Sequence, residues 1–358
     1  MFSRSAPYND LPTLPPESDL QKDVKILNAL APARAALAEL KGRIPIIPNP
    51  LMLINTIVLN EAKDSSTIEN IVTSSDNLFR ALSSERKDIE PNIKEVLRYR
   101  EALWDAYNNL NQMKLFDTEL MVRLFRNITQ RDEELRKLQV FVGSSRNIVY
   151  TPPEPGNVLN EKLNNWIIYC NSEHQIDHLI KMAILHYQFE SIHPFTDGNG
   201  RTGRILNVLY LTKNNLIDLP ILYHSKYILE NREEYYRLFT EVTENGNWQD
   251  WIIYMLNAVE ETSLYTLGKV NAIYDLFQNV IEKVRLEASK IYSRELVEIL
   301  FYQPYCRIST LVKKGIATRN TASKYLHQLA DLGILELKSD GKESLFLNTE
   351  LYYLLSLS

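Results

Sequence analysis

Residues 193–204 constrain the fold of this chain more strongly than any other stretch. The letters HPFTDGNGRTGR bring a histidine, a carboxylate, three glycines and two arginines into one short segment. Apolar residues at spacings of three and four precede it over 179–189, and a second apolar run follows over 205–211. Such spacing is typical of one buried helix face. The sequence therefore predicts two buried helices joined by a loop that holds unusual chemistry.

The loop has the composition of a phosphate-binding catalytic site. Glycines let a backbone approach a ligand closely, and free N–H groups at a helix N-terminus attract anions. Arg201 and Arg204 are three residues apart, so one helical turn brings two phosphate-binding guanidinium groups together. Asp197 offers the oxygen ligands that Mg²⁺ prefers, and His193 has the chemistry of a general base. The alternative, a capped turn with solvated arginines, leaves this combination unexplained.

The same residues match the motif His-Pro-Phe-x-(Asp/Glu)-Gly-Asn-Gly-Arg-x-x-Arg, so the chain resembles the Fic (filamentation induced by cAMP) family. The resemblance implies a mainly α core and transfer of AMP from ATP, with Mg²⁺, to a Ser, Thr or Tyr hydroxyl of a target protein or of the chain itself. It implies His193 as the base, Asp197 as the metal ligand and Arg204 as the γ-phosphate contact. The nucleotide-binding positions that it implies are Gly198, Asn199, Gly200, Arg201, Thr202, Gly203, Arg204, Tyr235 and Tyr236.

Ser65 and Glu69 carry a second resemblance. On a helix, residues four apart project from one side. By spacing alone, this pair is a solvated face or an N-terminal cap. Many Fic proteins, however, carry an inhibitory motif (Ser/Thr)-x-x-x-Glu-(Gly/Asn), which residues 65–70 fit at a place N-terminal to the catalytic motif. The resemblance implies that Glu69 occupies Arg204, the guanidinium that the γ-phosphate needs.

A small hairpin is predicted before the catalytic segment. Short β-branched and aromatic runs over 141–151 are bounded by glycine and by two prolines. In Fic proteins a β-hairpin flap in this place pairs with the main chain of the target, as an added strand. The flap residues that the resemblance implies are Val142, Gly143, Ser144, Ser145, Arg146, Asn147 and Ile148.

Residues 291–358 resemble a winged helix-turn-helix domain, with helical segments followed by a hairpin around 339–342. Its predicted core residues are Leu326, Leu329 and Ile334. The residues predicted to face outward on its candidate recognition helix are Arg319, Asn320, Ser323, Lys324 and His327. Residues 307–324 hold five basic and no acidic side chains, which suits a DNA backbone. The whole segment has a net charge of only +1, so a protein partner remains an equal alternative.

The predicted organisation has four parts. They are an N-terminal helical region with the inhibitory helix (1–109), a Fic catalytic core (110–258), a connecting helix (259–290) and a winged helix-like domain (291–358). Two other functions stay open. One is a DNA-binding regulator whose Fic core senses a nucleotide, and the other is a Fic enzyme that transfers another phosphate-containing group or removes AMP.

Composition sets the remaining expectations. The net charge of −5 over 358 residues argues against a polyanion binder by bulk charge. Cys170 and Cys306 are expected to be free thiols in a reducing compartment. No run approaches the roughly 18 apolar residues of a membrane helix, and the N-terminus lacks the apolar part of a signal peptide. We therefore expect a cytoplasmic protein without a membrane partner. A homodimer is compatible with the sequence.

Overall fold

The computed structural model describes residues 3–17, 19–47, 49–83, 89–110, 115–144, 147–173, 175–340 and 343–356. Within them the chain forms fifteen α-helices and five β-strands. The helices are α1 (Val24–Arg43), α2 (Pro50–Ile68), α3 (Ser75–Ser83), α4 (Pro91–Asn109), α5 (Thr118–Thr129), α6 (Asn157–Asn171), α7 (His178–Ile192), α8 (Asn199–Lys213), α9 (His224–Glu230), α10 (Arg232–Asn245), α11 (Trp248–Glu287), α12 (Arg294–Leu300), α13 (Ile308–Lys313), α14 (Arg319–Asp331) and α15 (Thr349–Ser356). The strands are β1 (Val142–Ser144), β2 (Asn147–Tyr150), β3 (Tyr305–Arg307), β4 (Glu336–Asp340) and β5 (Glu343–Leu347).

Helix α1 packs along the 40-residue helix α11. From the sequence, Pro32 predicts a helix that is interrupted or restarted at this position, and this is wrong, because α1 continues through the proline. An interior proline costs about 3 kcal/mol. Leu37 and Leu40 lie on the same helix at 2% and 0% exposure. Each buried leucine contributes about 1.5–3 kcal/mol, so their packing offsets the cost of the proline.

Helices α7 and α8 form the centre of the core and carry the segment 193–198 between them. The apolar spacing before this segment predicted one buried face, and the structure confirms it. Leu179, Met182, Ala183 and Phe189 are each at most 1% exposed. Helix α7 is in fact buried on nearly every side, because α6, α8 and α11 all pack against it. The loop is therefore held between two rigid helices.

The predicted hairpin is confirmed as an antiparallel pair of β1 and β2. The pairing changes register between Val142 and Gly143, and Gly143 has a φ of 111°. An L side chain rarely adopts that conformation, so glycine suits this irregularity. Ser145 and Arg146, at the predicted tip, lie outside the described residues.

The C-terminal region has the element order of a winged helix-turn-helix domain: α12, β3, α13, α14, β4, β5 and α15. Its antiparallel sheet has the strand order β3-β5-β4. The predicted core residues Leu326, Leu329 and Ile334 are at most 8% exposed. The region docks on the rest of the chain, since Asn60 Nδ2 donates to the Leu355 carbonyl at 3.0 Å. The predicted boundary between 258 and 259 falls inside α11.

Two smaller expectations concern the cysteines and the membrane. Cys170 and Cys306 are free and buried, as predicted, and burial raises the pKa of each thiol to about 12. None of the helices in the described part of the chain combines the length and the apolar character needed to cross a bilayer.

Candidate active site

His193 follows the last residue of α7 in a left-handed conformation, with φ 49° and ψ 61°. Its N–H donates to the Phe189 carbonyl at 3.0 Å, and its Nδ1 lies 3.2 Å from the Glu190 carbonyl. Because a carbonyl oxygen only accepts, Nδ1 carries the proton and Nε2 is the basic nitrogen. Burial lowers the pKa of His193 to about 4. The imidazole is therefore neutral near pH 7 and can accept a proton.

The loop after His193 is held by its own side chains. The Asn199 amide accepts from the Phe195 N–H at 2.9 Å and donates to the Phe195 carbonyl at 3.0 Å. The Phe195 ring is fully buried and stacks on Phe125, with ring centroids 4.6 Å apart. Phe195 therefore anchors the loop in the core. The side chain of Asn199 braces the loop, and Gly198, with a φ of 68°, begins α8.

Two glycines of α8 are required by close approaches to carboxylates. A Cβ on Gly200 would lie 2.4 Å from Glu69 Oε1, and a Cβ on Gly203 would lie 2.3 Å from Glu190 Oε1. Both distances are too short for any side chain. Thr202 lies between them and is fully buried. The absence of a side chain at Gly200 and Gly203 lets both carboxylates lie directly against the backbone of α8.

Arg204 is bound by Ser65 and Glu69, two residues of the 65–70 segment. Its Nε donates to Ser65 Oγ at 2.8 Å, and its Nη2 donates to the Ser65 carbonyl at 2.8 Å and to Glu69 Oε1 at 2.9 Å. The Arg204 side chain is 3% exposed, whereas that of Glu69 is 35% exposed. Charge-assisted hydrogen bonds of this kind are among the stronger ones in proteins.

A third side chain anchors α2 behind this pair. Glu61, one turn before Ser65, is 2% exposed. It accepts from the Ser225 N–H at 2.8 Å and from the Tyr99 hydroxyl at 3.1 Å. Burial raises the pKa of Glu61 to about 7. The hydrogen bonds of Glu61 fix the polar face of α2 to α9 and α4, one helical turn before Ser65 contacts Arg204.

Arg201 points to the other side of the turn. Its Nη1 donates to Glu95 Oε2 of α4 at 2.9 Å, and its Nη2 lies 3.7 Å from Asp197 Oδ1. Asp197 also pairs with Arg131 at 3.3 Å, and its side chain is 48% exposed. A single accessible carboxylate fits Mg²⁺, which completes its shell with phosphates and water. Among the described residues no three His, Cys, Asp or Glu side chains form a metal cluster, so the other ligands would come from the nucleotide.

Seven of the predicted residues line one pocket of about 100 Å³: Glu69, Val142, His193, Gly200, Arg204, Tyr235 and Tyr236. Seven other predicted residues are not part of its lining: Ser65, Asp197, Gly198, Asn199, Arg201, Thr202 and Gly203. Tyr235 lies in its wall, with its hydroxyl 3.0 Å from His186 Nε2, and Tyr236 is 37% exposed at its edge. The pocket is smaller than the roughly 300–1,000 Å³ of most ligand sites. Its lining residues are Ile68, Glu69, Val142, Val149, Tyr150, Glu190, His193, Gly200, Arg204, Tyr235, Tyr236, Phe239 and Thr240.

Four residues of the site were missed by sequence reasoning. Glu190 faces the pocket one turn before His193, and that spacing was a usable signal. Burial raises the pKa of Glu190 to about 8. Glu61, Glu95 and Arg136 reach the site from distant segments, so no local pattern could have identified them.

Comparisons with known proteins agree with the motif. Three family models match: Fic/DOC family N-terminal over residues 27–108, Fic/DOC family over 107–211, and the C-terminal domain of SoFic-like protein adenylyltransferases over 276–351. A probable protein adenylyltransferase of Aquifex aeolicus is 28% identical over 243 residues, which are 64% of this chain and 68% of that protein. The protein adenylyltransferase fic-1 of Caenorhabditis briggsae is 36% identical over 139 residues. That match covers 38% of this chain but only 24% of the relative.

Solved structures share the fold. A Fic family protein from Desulfovibrio desulfuricans G20 aligns with a TM-score of 0.58 at 18% identity, over 91% of this chain and 96% of that one. Fic-1 from C. elegans aligns with a TM-score of 0.53 at 19% identity, over 69% and 74%. The two Fic/DOC models together span residues 27–211, more than half of the sequence, and with the loop and the shared fold they establish that this chain belongs to the Fic/DOC family.

Proposed function

We propose that this chain is a protein adenylyltransferase, which transfers AMP from ATP to a hydroxyl group of a target protein, and that Glu69 inhibits it. The observation that carries the proposal is the pocket in which His193 and Arg204 face the same small space, with Glu69 bound to Arg204. A base beside a phosphate-binding loop is the arrangement that this transfer requires. Relatives named protein adenylyltransferases support the same reaction.

In the proposed reaction, Nε2 of His193 takes the proton of a Ser, Thr or Tyr hydroxyl. The hydroxyl oxygen forms a bond to the α-phosphorus of ATP. The bond between that phosphorus and the oxygen bridging to the β-phosphate breaks, and pyrophosphate leaves. The N-terminus of α8 would hold the phosphates through Gly198 and Gly200, and Arg204 would take the γ-phosphate. Positioning and charge stabilisation would supply most of the rate.

Three further contacts belong to the proposal. Asp197 would hold Mg²⁺, which when bound supplies charge neutralisation on the phosphates. Tyr235 and Tyr236 would contact the adenine, since both line the pocket. The hairpin of β1 and β2 would hold the target by main-chain pairing, and Val142 on β1 already lines the pocket.

Inhibition by Glu69 is supported by the contacts of Arg204. With its Nε and Nη2 already donating to Ser65 and Glu69, the arginine has less capacity for a γ-phosphate. The small volume of the pocket points the same way. Ser65 is buried and would stay, whereas Glu69 is partly exposed at the end of α2 and is the contact that can leave.

The test is AMP incorporation from labelled ATP and Mg²⁺ by the full chain, read by mass spectrometry on the protein itself and on added lysate proteins. Four proteins are compared: the parent, Glu69→Gly, His193→Ala and the double variant. We expect His193→Ala to lower transfer by about 10²–10⁴-fold in the Glu69→Gly background, because the base is lost. ATP binding should be largely kept.

Near-normal transfer by the double variant would refute the role of His193. Transfer of a different group from the nucleotide, or loss of AMP from a modified protein, would replace the proposed reaction with one of the alternatives. Glu69→Gln keeps the size of the side chain and removes its charge, so it separates the ion pair from the simple filling of space.

A further inference from the structure

The strongest unassigned feature outside the motif is Arg136, a buried arginine surrounded by backbone carbonyls. It lies between α5 and β1 and is 3% exposed. Its Nε donates to the His193 carbonyl at 2.8 Å, and its Nη2 lies 3.4 Å from the Ile192 carbonyl and also donates to that of Pro153. Its own N–H donates to the Pro194 carbonyl at 2.9 Å.

These contacts are unusual for a buried cation. Buried arginines are normally paired with a carboxylate. Among the described residues, every side-chain partner of Arg136 is a carbonyl oxygen. Two of these carbonyls, from Ile192 and His193, lie at the C-terminal end of α7, where a helix has unsatisfied acceptors and a negative dipole. The planar guanidinium, with five donors in fixed directions, can meet several of them at once.

The consequence falls on His193. A non-glycine residue with positive φ is uncommon and persists only where its surroundings hold it. Arg136 binds the carbonyl of His193 through its side chain and the carbonyl of Pro194 through its backbone. It thereby fixes the peptide units that follow the left-handed residue. The orientation of the imidazole, with Nδ1 bonded to the Glu190 carbonyl, depends on that backbone.

We infer that Arg136 is a positioning residue for the transfer reaction, which holds the backbone of His193 so that Nε2 remains the base. The inference rests on the proposed function. Apart from His193, the residues that Arg136 binds, including the adjacent Pro194, lie outside the pocket lining, so its effect would pass through the backbone at His193.

Charge supports the same role. Burial is the main cause that lowers the pKa of His193, and the guanidinium of Arg136 lowers it further. The Glu190 carbonyl, Glu69 after α2 and Asp197 of the loop act in the opposite direction. Removing the positive charge should therefore raise the pKa of the imidazole and protonate it at a higher pH. A protonated imidazole cannot act as the base, so transfer would be lost earlier on the acid side.

The test compares Arg136→Met and Arg136→Lys in the Glu69→Gly background, with AMP incorporation measured from pH 3.5 to 8, a range that includes the pKa of about 4 of His193. We expect Arg136→Met to lower the rate at saturating ATP by about 10²-fold, because a misplacement of about 1 Å costs that much. The ATP concentration at half-maximal rate should change by less than threefold. The acid limb of the profile should move to higher pH. Arg136→Lys keeps the positive charge but loses the planar guanidinium that binds several carbonyls at once. Its rate should therefore fall about tenfold, and its acid limb should not move.

Arg126→Met is the matched control. Arg126 donates to the Glu133 carbonyl and pairs with Asp132, on the same stretch of chain but away from the end of α7. It should change neither the rate nor the pH profile by more than twofold. Circular dichroism and the melting temperature verify that each variant is folded.

A purely structural role predicts another pattern. In that case folded Arg136→Met would melt at a lower temperature but would transfer AMP within threefold of its background, with the same acid limb. That result overturns the inference. If Arg136→Met does not fold, full activity of Arg136→Lys overturns it equally. Absence of any transfer that depends on His193 would instead refute the proposed function itself.

Discussion

The two ends of the first turn of α8 carry two ion pairs that are almost identical in geometry. Arg201 meets Glu95 of α4 at 2.9 Å, with side chains 3% and 34% exposed. Arg204 meets Glu69, which directly follows α2, at 2.9 Å, with side chains 3% and 35% exposed. Distance and burial therefore do not distinguish them. What differs is their surroundings, since only the second pair lines the described walls of the pocket that contains His193.

The comparison distinguishes an ion pair that supports the loop from one that is proposed to inhibit transfer. Arg204 also donates two hydrogen bonds to buried Ser65, so it keeps partners when Glu69 leaves. Arg201 instead has Asp197 as its second partner, which is 3.7 Å away and half exposed. Loss of Glu95 would leave the Arg201 guanidinium poorly compensated. Removing the carboxylate of Glu95 should therefore slow the proposed reaction, whereas removing that of Glu69 should accelerate it.

Among changes at the two ion pairs, Glu69→Gly should have the largest effect. Freeing Arg204 for the γ-phosphate should align the α-phosphorus with the incoming hydroxyl, and we expect AMP incorporation to rise by about 10²-fold. Glu69→Gln should raise it less, because the amide can still accept from the guanidinium. Equal activity of Glu69→Gly and the parent would reduce Glu69 to a solvated helix residue. The comparison with Glu95 would then fail.

Asp197→Ala tests the Arg201 end of the turn. The protein carboxylate for Mg²⁺ would be lost, and the ion would be held by phosphates and water alone. We expect the Mg²⁺ concentration at half-maximal transfer to rise by more than about tenfold in the Glu69→Gly background, a change worth about 1.4 kcal/mol. An unchanged Mg²⁺ titration would assign Asp197 to its contacts with Arg131 and Arg201 instead.

Glu95→Gln should lower transfer where Glu69→Gly raises it. Its carboxylate is one-third exposed, so the loss of the charge should cost about 1 kcal/mol, less than the 1.5–3 kcal/mol of a buried charged hydrogen bond. We expect a three- to tenfold loss of transfer in the Glu69→Gly background and a lower melting temperature. Activation by Glu95→Gln would contradict the distinction between the two pairs.

Sequence reasoning succeeded where the chemistry is contiguous. The loop at 193–204, its two buried helices and the 65–69 spacing are local, and their residues could be read within a few helical turns. The partners of the loop are not local. Glu95 lies 106 positions from Arg201, and Arg136 lies 57 positions from His193. Only tertiary packing brings these residues together, so the spacing of residues along the sequence could not predict their contacts.

Packing also overruled a local rule at Pro32, where a predicted break became a continuous helix. In the C-terminal region the element order and the core residues followed from the pattern, because each element is short and closely spaced. The sequence pattern did not predict that this region docks on α2 through Asn60 and Leu355. Of the residues predicted to face outward on α14, four are exposed, namely Arg319, Asn320, Lys324 and His327, whereas Ser323 is half-buried. Whether DNA or a protein binds there stays a prediction.

The smallest expected effect is that of Arg319→Ala and Lys324→Ala on transfer. Both side chains are exposed on α14, and neither lines the pocket that contains His193. Exposed substitutions of this kind usually change stability by at most about 0.5 kcal/mol. AMP incorporation in the Glu69→Gly background should therefore stay within about twofold. Removal of residues 291–358 is a poorer test, because it also uncovers the surfaces of α2 and α11 that α15 covers. If either point variant changes transfer by more than about fivefold, the C-terminal region acts on the catalytic loop. The Arg201–Glu95 and Arg204–Glu69 pairs would then not be the sole control of AMP transfer.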